Sequence, residues 1–469
     1  MICEKLGISS RDKFGLYEYI LLLSPIAIWF SFWPQISLGS NSTTNFKLTI
    51  TMVYLLILAI VSLPRIFAKW REIITAKNLA IGLIFLFVFY NFLTIIWSEN
   101  RERTMLTSGI LVLLFIVFLG IFVTKNFAKK LLKPLVKIYI LTAIVMGIFA
   151  ICQFIYGTFF LTGFGLCDGC ISAQFGFVRP NVFAIEPQFF GSLLLPALLI
   201  VFREILINKN SFSRNLLFGF LALILFLTLS RGAIFAFIFG ALFVAIFSRE
   251  LSPNFWKNFL KSVAIGVLSL AVCVFMQAGT AAINPNVETK FSVAANSSLN
   301  QLSMGLIKIR ETPKTNPVKA SDNSESGAPA KNEINPAFDG YVAESTNVRT
   351  SLAKTAFEAW EAGNLPHKIF GFGLGSSGIA MENFAKNGDP KEIVQNEFVE
   401  ILLETGIVGA LIFIAILIGF IRTIFAKKDL RWLLGIVAAF GLQWLFFSGY
   451  PSALHIYLIF AVMYIFSKK

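Results

Sequence analysis

Two arginines and a glutamate stand at the predicted outer ends of apolar segments, where they could act on a phosphate-bearing substrate. Arg231 follows Ser230 at the start of one apolar run, and Arg179 and Glu186 precede another. A guanidinium binds phosphate oxygens through a planar fork of N–H donors, and a carboxylate at that depth can accept a proton. A boundary arginine at position 231 and a structural ion pair of Glu186 with Arg179 or Arg231 are equally consistent with the sequence.

A second group of polar residues lies in a long, largely polar segment. Arg349 falls in a stretch with helical periodicity, and Gly373 and Gly375 belong to the glycine-rich run 371–378. The run matches a dinucleotide fingerprint by letter, but it lacks the preceding strand and the βαβ unit that this fingerprint requires. It predicts either a turn that lets the backbone approach a ligand or a plain turn.

Three residues at the start of the next apolar run could contact a substrate. Gln395 and Asn396 can bind sugar hydroxyls or cap the following helix. Glu397 shares one helical face with Glu400 and Glu404, and it can act as a base or simply favour the positive end of the helix dipole. Both interpretations remain open for each residue.

The cysteines and histidines predict neither a metal site nor a cofactor. Cys167 and Cys170 lie in a predicted outside loop, where a local disulfide or two unpaired thiols would fit. A metal would need further ligands, and neither His367 nor His455 is spaced to supply them.

The elements that must position these residues are transmembrane helices. Hydrophobic residues make up 56% of the chain and charged residues only 14%, which excludes an ordinary soluble domain. Apolar runs of about 18 residues or more are typical of membrane spans. We predict an all-α polytopic fold with about twelve spans: 15–36, 46–66, 78–97, 105–124, 134–157, 183–203, 215–230, 231–248, 259–278, 399–424, 432–448 and 452–467.

A long polar insertion divides the chain into three regions. Residues 1–278 hold spans one to nine, residues 279–398 form a large loop, and residues 399–469 hold the last three spans. Within the loop, 311–346 has few large apolar groups and is predicted to be disordered. Residues 347–363 are predicted to be helical, with Thr346 or Asn347 as the N-cap.

The net charge of +14 is explained by membrane topology. More than half of the 40 lysines and arginines fall in segments on the same side as the N-terminus. The positive-inside rule therefore predicts both termini in the cytoplasm and the large loop outside. The basic excess does not indicate a nucleic-acid partner.

Several of these segments together resemble the O-antigen ligase and Wzy-type polymerase superfamily of bacterial envelope glycosyltransferases. The order and spacing of short motifs and the large loop after the ninth span, a GT-C-like arrangement, carry the resemblance. The matching residues are 229–233, Arg349 with Trp360, 370–375, 395–398 and 403–409.

The resemblance implies transfer of a glycan from a polyprenyl-diphosphate carrier to a glycan, lipid or protein acceptor at the bacterial cytoplasmic membrane. Arg231 and Arg349 match the arginines that hold the diphosphate. Gln395 stands where ligases often carry a histidine, so a histidine base is not expected here. We predict Arg231, Arg349 and Glu186 as catalytic residues, and Arg179, Gly373, Gly375, Gln395, Asn396 and Glu397 as substrate-binding residues.

We expect a metal-independent, inverting displacement. Diphosphate is a good leaving group that arginines can stabilise, and Glu186 is preferred to Glu397 as the base. The first outside loop, 37–46, contains no acidic residue that could bind a divalent metal. Polymerase and ligase activity are not separated by the sequence. The alternative function is a twelve-span transporter or flippase, but the off-centre insertion and the outer position of the charges favour the enzyme.

Overall fold

The computed structural model describes most of the chain and is almost entirely helical. The described residues are 15–38, 46–75, 79–124, 128–160, 172–174, 177–207, 211–284, 290–303, 341–385 and 394–467. The disulfide prediction for Cys167 and Cys170 and the predicted disorder of 311–340 lie outside these residues. Two short antiparallel hairpins join β1 (Gln35–Leu38) to β2 (Phe46–Thr49) and β3 (Ser172–Gln174) to β4 (Phe177–Arg179).

The helices follow the apolar runs of the sequence. The first nine are α1 (Leu16–Ala27), α2 (Ile50–Ala68), α3 (Trp70–Thr75), α4 (Leu79–Leu93), α5 (Arg101–Val123), α6 (Ala128–Phe160), α7 (Pro187–Ile207), α8 (Phe212–Leu227) and α9 (Arg231–Ser248). The others are α10 (Phe255–Ile283), α11 (Phe291–Leu302), α12 (Tyr341–Ala362), α13 (Leu365–Phe370), α14 (Ser377–Phe384), α15 (Glu397–Phe425), α16 (Leu434–Gln443) and α17 (Leu454–Ser467). Short 3₁₀ turns cover Thr94–Ile96, Arg249–Leu251 and Lys428–Leu433.

A helix occurs within each of the twelve predicted spans, but these helices differ in length. Eight helices of the described residues are long and apolar enough to cross a membrane, as expected for a multi-pass membrane protein. The helices α1, α8, α16 and α17 contain only 12, 16, 10 and 14 residues. The count of twelve spans therefore stays a prediction.

Helix α12 begins earlier than predicted. It starts at Tyr341, inside the segment predicted to be disordered, and the predicted N-caps Thr346 and Asn347 lie within it. Extending an existing helix by a turn costs much less than nucleating one. This explains how a polar flank with little apolar surface becomes helical next to the stronger helical segment.

The described residues form two compact units. The first comprises 1–142, 242–247 and 348–469. In it, the buried Glu18 of α1 forms an ion pair with Arg65 of α2, and the side chains of α12, α14 and α15 share a small core around Phe372. The ion pair and the small core both help to fix the positions of the helices that they join.

The second unit comprises 143–241 and 248–347. Helix α7 is enclosed over most of its length, since 78% of its apolar 18-residue stretch is buried. It packs closely against the first turn of α9. Gly191 lies so near Ala233 that a side chain in place of Gly191 would collide with it. The β3–β4 hairpin leads into α7, and it is the element that carries Arg179.

Candidate functional site

In the second unit, Arg231 begins α9 directly after a tight turn. Helix α8 ends at Leu227, and Thr228, Leu229 and Ser230 connect the two helices. The Thr228 hydroxyl donates to the carbonyl of Leu225 over 2.6 Å and accepts from the amide of Ser230 over 3.1 Å. The Ser230 hydroxyl accepts from the amide of Ala233 over 3.4 Å and so caps α9.

Leu229 occupies the left-handed region of the backbone map. Its φ is 47°, and its side chain is completely buried. A residue other than glycine in this region costs on the order of 1–2 kcal/mol. The surrounding contacts must therefore hold the turn, and this turn sets the position of Arg231.

Arg179 supplies two of those contacts from the end of β4. Its Nε donates to the carbonyl of Thr228 over 2.9 Å, and its Nη2 donates to the carbonyl of Leu229 over 3.4 Å. The last carbonyls of a helix lack intrahelical donors and carry partial negative charge, so a cation there is favourable. The structure thus brings Arg179 to the turn before Arg231. Its substrate-binding role stays a prediction.

The Arg231 side chain is half-buried at the N-terminal end of α9. Its Nη1 donates to the hydroxyl of Thr346, an exposed residue of α12, over 3.2 Å. A guanidinium beside the free N–H groups of a helix's first turn forms a favourable environment for an anion. A hydroxyl that contacts the guanidinium at an exposed position can be displaced by a phosphate oxygen.

Glu186 immediately precedes α7 and is half-buried. Its backbone carbonyl accepts from the amides of Phe189 and Phe190 over 3.0 and 3.2 Å. Its carboxylate accepts a hydrogen bond from the side-chain amide of Gln188 over 3.0 Å. In the described part of the chain this contact stands in place of the ion pair with Arg179 or Arg231 that the sequence also allowed.

In the first unit, Arg349 lies on α12 between two exposed residues. Val348 is 53% exposed and Thr350 is also exposed, while Arg349 itself is half-buried. Arg349 follows Thr346 by one helical turn. Its role in holding the diphosphate stays a prediction.

The glycines of 371–375 pack against backbone and short side chains. Gly371, Gly373 and Gly375 have φ values of 80°, 103° and 82°, a region that favours glycine. A side chain at Gly371 would collide with the backbone of Glu404, and one at Gly373 would collide with Ser98. This packing requires glycine, which favours the plain turn; approach of the backbone to a ligand stays a prediction.

Helix α15 is interrupted next to this turn. Gly406 has non-helical φ and ψ values of 63° and −171°. The Tyr90 hydroxyl lies 2.8 Å from the carbonyl of Phe370 and 2.7 Å from that of Thr405. Together with the bond from the Gly373 amide to the Glu404 carbonyl, at 2.8 Å, these contacts join the glycine turn to the interruption.

Glu397 is buried, and several donors already bind its carboxylate. The Tyr457 hydroxyl donates over 2.7 Å, the Tyr450 amide donates over 3.2 Å, and the Gly449 amide donates as well. Its own amide donates to the Trp444 carbonyl over 2.9 Å. These contacts favour a structural role for Glu397 in holding 449–450.

Glu400 and Glu404 face the start of α14. Glu400 Oε1 accepts from the Ser377 hydroxyl and Glu404 Oε1 from the Ser377 amide, each over 3.2 Å. A cavity of about 30 Å³ lies beside them, large enough for one or two water molecules. Its polar lining residues are Glu397, Glu400, Glu404, Tyr450 and Tyr457.

The neighbours Gln395 and Asn396 behave differently. The Asn396 side-chain oxygen accepts from the amides of Phe398 and Val399, both over 3.1 Å, and so caps α15. Gln395 has a φ of 59°, and its buried side-chain oxygen has no hydrogen-bond partner within the described ranges. Because a buried acceptor normally has a donor, Gln395 rather than Asn396 has an unused binding group.

Sequence reasoning missed the contacts of the residues that hold these side chains. These residues are Thr228, Gln188, Thr346, Ser377, Tyr450 and Tyr457. One available signal was the Gly-Tyr-Pro break at 449–451 between two apolar runs. Among the described residues, no group of three or more histidine, cysteine or acidic side chains could hold a metal ion.

One family model matches part of the chain. Residues 216–414 match the model described as O-antigen ligase, and this range contains Arg231, Arg349, the glycine turn and the start of α15. No curated protein matches the chain significantly. The predicted resemblance is thus confirmed: within this multi-pass membrane protein, residues 216–414 form a domain of the O-antigen ligase and Wzy-type superfamily.

Proposed function

We propose that the protein transfers a glycan from a polyprenyl-diphosphate carrier to an acceptor hydroxyl at the outer face of the bacterial cytoplasmic membrane. The observation that carries this proposal is Arg231 in the first turn of an apolar helix within the O-antigen ligase domain. We assign both termini to the cytoplasm and 279–398 to the outside, as the distribution of basic residues indicates.

In this proposal, Arg231 and Arg349 bind the diphosphate. The bond between the anomeric carbon and the phosphate oxygen breaks while the acceptor oxygen bonds to that carbon from the opposite face, which inverts it. Negative charge grows on the departing diphosphate, and fixed guanidinium groups stabilise it without a metal. The hydrogen bond from Arg231 to Thr346 supports the assignment, since it holds the guanidinium near the free end of α9.

The acceptor hydroxyl must be oriented and lose a proton. We assign Gln395 to orient it, because no donor of the described part of the chain binds its buried side-chain oxygen, and a sugar hydroxyl would supply one. We assign Glu186 as the base that accepts this proton, because its carboxylate is half-buried and is bound by one side-chain amide. Glu397 is the weaker candidate, since backbone amides and Tyr457 already use its oxygens.

The test uses purified protein in lipid discs with a polyprenyl-diphosphate-linked oligosaccharide. We expect release of free polyprenyl diphosphate, and we expect Arg231→Ala to abolish it. Arg214→Ala is the matched control, because Arg214 contacts Glu204 at 3.8 Å on the surface of α8, far along the helix from the turn. Turnover that persists in Arg231→Ala would overturn the proposed site.

The same assay separates the variants of the function. Growth of the lipid-linked glycan without another acceptor indicates a polymerase, whereas transfer only after addition of envelope acceptors indicates a ligase. If neither occurs but the lipid-linked glycan crosses the bilayer of proteoliposomes, the protein is a flippase and the enzymatic proposal is wrong.

A further inference from the structure

We infer that Arg179 is a positioning residue, which orients Arg231 by holding the turn at 228–230. This inference rests on the proposed function, in which Arg231 binds the diphosphate. It assigns to Arg179 a role other than direct contact with the substrate.

Arg179 projects from a firmly held strand. It is the last residue of β4, where it pairs with Ser172 of β3. The preceding residues Phe177 and Val178 are completely buried, and the Val178 amide donates to the Thr158 hydroxyl of α6 over 3.0 Å. The guanidinium therefore reaches the turn from a fixed base.

The turn needs an external partner. The carbonyls of Thr228 and Leu229 come at the end of α8, where the helix supplies no further N–H groups. Both receive a donor from the single Arg179 side chain, at 2.9 and 3.4 Å. Leu229 keeps its left-handed conformation in this setting, and such a conformation persists only where its surroundings fix it.

Arg231 depends on this turn directly. Only Ser230 separates it from Leu229, and the Ser230 cap fixes where α9 begins. A change of the Leu229 dihedral angles would rotate Ser230 and the first turn of α9 together. The direction of the Arg231 side chain toward Thr346 would then be lost.

Arginine suits this task better than lysine does. A planar guanidinium can donate to two carbonyls at fixed angles, whereas an ammonium acts as a single point charge. The bonds from Nε and Nη2 to the two carbonyls tie the plane of the Arg179 guanidinium to the turn. The geometry thus favours positioning over direct binding.

The first experiment is a double-mutant cycle on the binding of polyprenyl diphosphate to the protein in lipid discs. If Arg179 acts through Arg231, Arg179→Gln alone weakens binding about 10-fold, while the double variant binds no more weakly than Arg231→Ala. Effects that multiply in the double variant would show an independent contact with the ligand and would overturn the inference. Arg179→Lys keeps the charge and restores part of the affinity.

A second experiment measures hydrogen exchange of the amides in 228–234. We expect faster exchange at Ser230 and Ala233 in Arg179→Gln and unchanged exchange in Arg231→Ala and in the control Arg214→Gln. Unchanged exchange in Arg179→Gln would overturn the inference alone. A native protein that binds no polyprenyl diphosphate would instead overturn the proposed function.

Discussion

Two regions use their charged side chains in different ways. One is the turn at 228–231, and the other is the junction, where 371–377 contacts 397–406. In the junction, backbone amides bind the carboxylates of Glu397 and Glu404. By contrast, Arg231 at the turn binds the side chain of Thr346, and Glu186 before α7 binds that of Gln188. A side-chain partner can rotate away when a substrate arrives, whereas a backbone partner is fixed by the fold. We therefore expect Arg231 and Glu186 to contact the substrate and the glutamates of the junction to support the fold.

Replacing Arg231 gives the largest expected effect on activity. Arg231→Ala should lower turnover of the lipid-linked donor by about 100- to 1,000-fold, the loss typical of a removed transition-state donor. Thermal unfolding of the detergent-solubilised protein should change little, because Arg231 is only half-buried and its hydroxyl partner Thr346 is exposed. A large loss of stability would place Arg231 with the structural charges of the first unit.

Two glutamate-to-glutamine variants test the comparison most directly. Glu186→Gln should lower turnover by about 100-fold, as expected for a general base, with little change in stability. Glu397→Gln should lower stability with little change in turnover, because an amide replaces a carboxylate that several donors bind. We expect Glu397→Gln to cost about 2–3 kcal/mol of unfolding free energy. Equal turnover losses in the two variants would contradict the division of roles.

Gly373→Ala tests the packing of the glycine turn. The φ of 103° and the collision with Ser98 should destabilise the first unit, by about 1–3 kcal/mol. The matched control is Gly82→Ala in α4, where no atom lies within 4 Å of the added methyl group. Thermal unfolding of both variants separates a steric cost from a general effect of the substitution. Equal stability of the two would leave the glycine turn open to a ligand-binding role.

The smallest effects should separate Gln395 from Asn396. Gln395→Ala should raise the KM for the acceptor about 10-fold and leave stability unchanged, since its side-chain oxygen accepts no hydrogen bond from the described residues. Asn396→Ala should cost about 1 kcal/mol through loss of the α15 cap and leave that KM unchanged. Acceptor titrations and thermal unfolding on the same preparations measure both effects. A loss of stability in Gln395→Ala with a raised KM in Asn396→Ala would contradict the prediction.

The sequence predicted the helices better than it predicted their contacts. Apolar runs identify a helix in every predicted span, and Ser230 before Arg231 indicates a helix start, because these signals are local. The contact of Arg179 with Thr228 and that of Glu397 with Tyr450 join residues about 50 positions apart. No spacing in the sequence encodes such contacts, because tertiary packing decides them.

Some alternatives could be separated only by three-dimensional geometry. Gln395 and Asn396 are adjacent amides that can both cap a helix, and only the backbone angle at Gln395 decides which one does so. The glycines at 373 and 375 fit a ligand-binding turn and a plain turn equally well by composition. The neighbouring Ser98 and Thr107, distant in sequence, are what limit the space there.

The interruption at Gly406 also bears on where α15 meets the lipid. The uninterrupted part from Ile407 to Phe425 has roughly 19 residues and rises about 28 Å at 1.5 Å per residue. This length nearly equals the hydrocarbon thickness of a typical bilayer, about 30 Å. The later part of α15 can therefore span the acyl-chain region alone. The acidic first part can then remain at the level of the lipid headgroups, where water and the sugars of a membrane-bound substrate are found.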